Sequence, residues 1–155
     1  MTPTGYRLVL AITALSVAHH IDHVLRGVTG WPLAGGLNPF TFSLLVYPVI
    51  ASGVLLSRAR KAGPRFWALL AGGGALFILV VHLGPAAGDS VVRIPGQYST
   101  WAASTAALLV LAAFLAALVL HSAYEAQRAI QGHRHPQHQR GEHQHERPTQ
   151  GSAQN

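Results

Sequence analysis

Apolar residues gather in four long runs along the chain, from Tyr6 to Leu25, Phe40 to Ser57, Phe66 to Leu83 and Trp101 to Leu120, the last with helical spacing carried on to about residue 124. Each run is close to the ~20 residues that cross a ~30 Å hydrocarbon core as a helix. Isolated spans in hydrocarbon must satisfy their own backbone hydrogen bonds, which leaves helix as the reading. The pattern predicts an all-α integral membrane protein, a four-transmembrane-helix bundle over residues 1–124 whose first partner is the lipid bilayer. From residue 125 to residue 155 the chain turns to Gln, His, Arg and Gly, with almost no large apolar side chain. Such a tail cannot bury enough surface to offset the entropy of ordering and is expected to be disordered.

Composition supports this picture and charge orients it. Half of the 155 residues are hydrophobic and a tenth are charged, where soluble proteins carry about a quarter. Eleven Lys and Arg against five Asp and Glu give a net charge of +6. Arg58, Arg60, Lys61 and Arg65 join the second and third runs, and Arg128, Arg134, Arg140 and Arg147 lie in the tail. The positive-inside rule then places both termini in the cytoplasm and the Gly- and Pro-rich loops outside a cell membrane. Trp31, Trp67, Tyr98 and Trp101 fall near the expected span boundaries, where interfacial aromatics belong. Pro48 is expected to kink the second span. Ala68/Gly72, Ala103/Ala107, Ala112/Ala116 and Ala113/Ala117 have small-xxx-small spacing, suited to close packing within the bundle or to a homo-oligomer. Arg7, the apolar run after it and Ser16-Val17-Ala18 also resemble a secretory signal with its cleavage site, although the apolar periodicity continues through Ile21, Val24 and Leu25.

Chemistry rests with the histidines. The absence of cysteine excludes disulfides, iron–sulfur clusters, thiolate zinc sites and cysteine nucleophiles. Of ten histidines, His133, His135, His138, His143 and His145 belong to the tail, a composition that is either merely polar or a loose metal-chelating tract. His121 ends the fourth run on the cytoplasmic side. His19, His20, His23 and His82 lie at the outward ends of the first and third runs. At 100° per residue His19, Asp22, His23 and Arg26 share one helix face, and His20 points about a quarter turn away. His19 and His23, at i and i+4, have the spacing with which HExxH helices present two imidazoles to one ion. His82 is expected at their level, followed in the same outer loop by Asp89.

Several readings of this cluster stay open. In the plainest, Asp22 pairs with Arg26 among interfacial histidines that bond to loop carbonyls, and the chain is a structural or interaction subunit. In a second, His19, His23 and His82 bind zinc, copper(II) or iron, with Asp22 as a further ligand or as acceptor for an imidazole N–H. A third holds a b-type haem between His82 and a first-helix histidine. A fourth makes Asp22 and His20 the general acid and base of a small membrane enzyme acting on an apolar substrate. His19, His20 and His23 also resemble a histidine box of membrane desaturases and hydroxylases. Those enzymes use several such boxes on the cytoplasmic side, which this chain does not supply, so their activity is not implied. A metal transporter would want acidic residues inside the later spans. Nucleic-acid binding is excluded, because the basic residues come without stacking aromatics.

Overall fold

A computed structural model describes residues 1–27, 36, 38–84 and 89–145, with side chains as far as Gly132. Trp31 and the side chains of the five tail histidines lie outside the described residues. Helix α1 (Pro3–Leu25) starts at Thr2, whose hydroxyl accepts the Gly5 N–H at 3.1 Å, with Pro3 in the first turn where its missing N–H has no partner to lose. It runs unbroken through Ser16–Ala18. Gly27, at φ 67°, then turns the chain away in a conformation that glycine adopts without strain.

The second apolar run divides into α2 (Pro39–Ser43) and α3 (Val46–Arg58). Asn38 and Thr41 cap α2 reciprocally, each side chain accepting the other's backbone N–H at 2.9 Å. The break at Leu44 and Leu45 follows from Pro48, because a proline ring crowds the carbonyl four residues before it. The bend therefore falls one turn ahead of the proline. Helix α4 (Pro64–Leu83) again opens on proline, and a 3₁₀ turn (Ile94–Gln97) leads into α5 (Trp101–His145). Backbone helix thus continues well into the segment whose composition predicts disorder. The packed part of α5 also passes residue 124, since Glu125 is fully buried.

No strand occurs among the described residues, and four helical stretches are long and apolar enough to cross a membrane: Pro3–Leu25, Pro39–Arg58, Pro64–Leu83 and Trp101–Gly132. Ile12, Ala71, Ala75, Ile78, Ile94, Ala107, Leu111, Phe114 and Leu118 form the core between α1, α4 and α5. Small residues let α4 and α5 approach: a Cβ at Gly72 would stand 3.0 Å from Ser122 Oγ, which donates to the Ala68 carbonyl at 2.9 Å. Ala112, Ala113 and Ala116 face outward instead. So do Leu10, Leu25, Leu69, Leu76, Leu83, Leu109 and Leu120, an apolar exterior that suits lipid and not water. Trp101 is 82% exposed, as a boundary aromatic would be, whereas Trp67 is buried and donates to Ser57 Oγ of α3 at 2.9 Å.

Helix α3 is attached mainly at its two ends. At the end where α1 terminates, Tyr47 and Ser43 bond to His20 at 2.6 and 2.7 Å. At the other, Trp67 holds Ser57, and α4 comes so near that a Cβ at Gly53 would stand 2.6 Å from the Phe66 ring. Between these attachments lies a cavity of about 1150 Å³, walled by Val46, Val49 and Ile50 of α3, Gly73 and Phe77 of α4, and Phe114 and Leu118 of α5. His19, His20, His23 and His82 line one end of it, and His121 lines the other.

Candidate metal centre

Helix periodicity puts His19 and His23 one turn apart on α1, and α4 brings His82 to the same level. His19 Nε2 lies 3.1 Å from Nε2 of His23 and 3.1 Å from Nε2 of His82. All three rings are buried, and one ligand atom from each can be chosen so that all lie within 4.8 Å of one another. Nitrogens bound to an ion at about 2.1 Å stand about 3.4 Å apart on a tetrahedron and about 3.0 Å apart on an octahedral face. The two 3.1 Å separations from His19 fall between these values.

The surrounding bonds fix where the His82 ring proton sits. His82 Nδ1 lies 2.7 Å from the Asp89 carbonyl oxygen, an acceptor only, so Nδ1 carries the proton and Nε2 a lone pair. His23 Nδ1 lies 3.2 Å from Asp89 Oδ2 and 3.5 Å from the Arg26 guanidinium, an acceptor and a donor, so either tautomer of this ring finds a partner there. The His82 lone pair then points at His19 Nε2. An N–H on that atom could serve it, and a cation at the focus would serve all three rings. Imidazoles turned inward by a carboxylate and a carbonyl behind them are the usual outer support of metal-ligating histidines.

Asp89 is itself held in place. Arg26 donates to its two oxygens at 2.5 and 2.8 Å, to Asp22 Oδ2 at 2.9 Å through Nε, and to Gln97 Oε1 at 2.6 Å. Tyr98 donates its hydroxyl to Asp22 Oδ1. Burial alone would raise the Asp89 pKa, but the Arg26 guanidinium overrides it and holds the carboxyl below the usual carboxylate range. Burial works against the Arg26 charge as well, yet its bonds to Asp89 and Asp22 raise its pKa above the ordinary arginine value. Burial and the Asp22 carboxylate push the Tyr98 hydroxyl up to about 12. One guanidinium against two carboxylates leaves this ring a net negative charge beside three neutral imidazoles, which favours a cation at their focus.

The structure thus brings together His19, His23 and His82, and does not bring Asp22 to them. Asp22 is on the expected face, but Arg26 and Tyr98 occupy its oxygens. His20 turns to α2 and α3, with Nε2 on Ser43 and Nδ1 on Tyr47, so it and Asp22 do not meet as an acid–base pair. Asp89, and not Asp22, lies behind His82 and His23. Gln97, Tyr98 and Tyr47 enter the site with no local motif to announce them; their only signal is position in loops and spans that lead to the same end of the bundle. No protein-family model, curated protein or solved structure matches this chain.

Proposed function

We propose that this chain is a four-span protein of the cell membrane, with both termini cytoplasmic, that binds one divalent transition-metal ion through His19, His23 and His82. The convergence of His19, His23 and His82, with the lone pair of His82 Nε2 fixed by the Asp89 carbonyl, carries this reading. Nitrogen donors with a carboxylate behind them suit zinc, copper(II) or iron. Three protein ligands leave a coordination position open, as in catalytic sites, and here the triad lines an apolar cavity. The site therefore acts on, or binds, a membrane-soluble molecule that reaches it through the cavity. A porphyrin would have to pass between two axial imidazoles, and His19 Nε2 is within 3.1 Å of both other rings, which favours a bare ion over haem.

Metal analysis of the full chain purified in detergent tests the proposal. About one zinc, copper or iron per chain is expected, or uptake of about one Co(II) with its visible bands after chelation, and His82→Ala should abolish either signal. A purified chain that neither carries nor takes up a metal overturns the reading, and a Soret band would replace the bare ion with haem.

A further inference from the structure

At the far end of the cavity stands a second buried polar group. His121 is 1% exposed, and neither of its ring nitrogens has a hydrogen-bond partner. One turn on, Glu125 is 0% exposed; its Oε1 is unpartnered, while its Oε2 accepts from Arg128 at 2.7 Å. The carboxylate sits under α1, where a Cβ at Gly5 would stand 2.8 Å from Oε1. The ring of His121 lines the cavity, its centroid 6.1 Å from that of Trp67. Buried polar atoms are almost always satisfied, and three orphans on one helix face imply partners that the side chains do not provide. A metal ion would find only two donor residues here, fewer than structural or catalytic sites supply. A proton needs only one lone pair, and ionisable groups buried among membrane-spanning helices are characteristic of proton relays.

We propose that His121 and Glu125 form a proton-binding site in which a bridging water joins the imidazole to Glu125 Oε1 and one proton exchanges with the cavity. In the unloaded state the imidazole is neutral and Glu125 is an anion paired with Arg128. A proton from cavity water binds the free imidazole nitrogen, and the imidazolium formed is stabilised by Glu125 through the water. Its loss restores neutral imidazole and carboxylate. With Arg128 included, the cluster cycles between net charge 0 and +1. Among the described residues, the charged or titratable groups at this level include Arg128 and Tyr124 on α5, Arg65 of α4, one turn before the Ala68 carbonyl that Ser122 reaches, and the amino terminus carried by Met1, whose side chain meets Gly5 beside Glu125. Around His121, α4 presents Trp67, and Ser57 of α3 bonds to that indole; neither titrates. Phe114, whose ring centroid is 5.8 Å from that of His19, precedes His121 by seven residues on α5, so the proton site and the triad stand about 10 Å apart along one helix. The site depends on no ion at the triad.

The full chain in detergent micelles, with ¹⁵N-labelled histidine, provides the test, read by ring-nitrogen NMR for His121 and by the infrared carboxyl stretch for Glu125. Glu125→Gln, nearly isosteric, should move the His121 titration midpoint by about one pH unit or more, roughly tenfold in proton affinity. His121→Gln should move the Glu125 midpoint comparably, since the coupling is reciprocal. Circular dichroism confirms that each variant folds, and Glu125→Gln alone decides the question if His121→Gln does not. Midpoints that ignore the partner's substitution, or a His121 ring that never titrates while the chain stays folded, overturn the proposal.

Discussion

His82 shows how much a single backbone carbonyl can decide. Because Asp89 accepts at Nδ1, the opposite nitrogen has no proton and its lone pair must face the other rings. Asp89→Asn retains the carbonyl but loses the charge behind His23, so metal affinity should fall about 10–100-fold, measured by competition with a chelator. The same residue gives a pH dependence. Its folded pKa lies below the ordinary value of 3.8, so its ion pair with Arg26 contributes fully above that value and is lost as pH falls through the lower folded one. The thermal midpoint of the parent should drop with acid in that range, and Asp89→Asn should flatten the slope. The i, i+4 spacing made His19 and His23 legible, and helix counting made His82 legible, because 3.6-residue periodicity is local. The i, i+4 pairing of Asp22 with Arg26 was legible in the same way, and it takes the oxygens that a ligand role for Asp22 would need. The role of Asp89 depends on how the connection after α4 folds back, and no period encodes that.

Among the elements, α3 differs most from what hydropathy alone describes. Its apolar run marks a span, yet its two attachments, His20–Tyr47–Ser43 and Ser57–Trp67, leave the middle standing off the bundle. Gly73 lines the resulting cavity, and nothing lies within 4 Å of where its Cβ would be. Gly73→Phe should therefore fill the cavity without displacing a helix. With Trp31 and Trp101 replaced by Phe, stearic acid brominated mid-chain should quench Trp67 fluorescence, and Gly73→Phe should reduce the quenching several-fold at unchanged metal content. Equal quenching would place the chain elsewhere on the protein. The four helical stretches were readable because each coincides with an apolar run of about the length that crosses a bilayer. Two details were not: Pro48 acts on the turn before it, so α2 separates from α3, and burial of Glu125 extends the packed helix past the point where composition turns polar.

For the whole molecule, charge is segregated along the bundle. Arg58, Arg60 and Lys61 lie at the end where α3 stops, and the Arg26–Asp22–Asp89 ring lies at the other. The absence of native cysteine makes sidedness simple to measure. Arg93→Cys should react with a membrane-impermeant maleimide on intact cells, and Lys61→Cys only after permeabilisation; the reverse result would invert the orientation. The order of the long apolar helices was legible because composition marks each of them, while the lateral arrangement, with α1 and α4 both against α5, depends on which small residues meet. That arrangement also joins two regions mechanically. The loosest helix is tied through His20, and the neighbouring residue on α1, His19, stands between the other two rings of the triad. A displacement of α3 would thus act on α1 one peptide bond away from the central histidine of the triad.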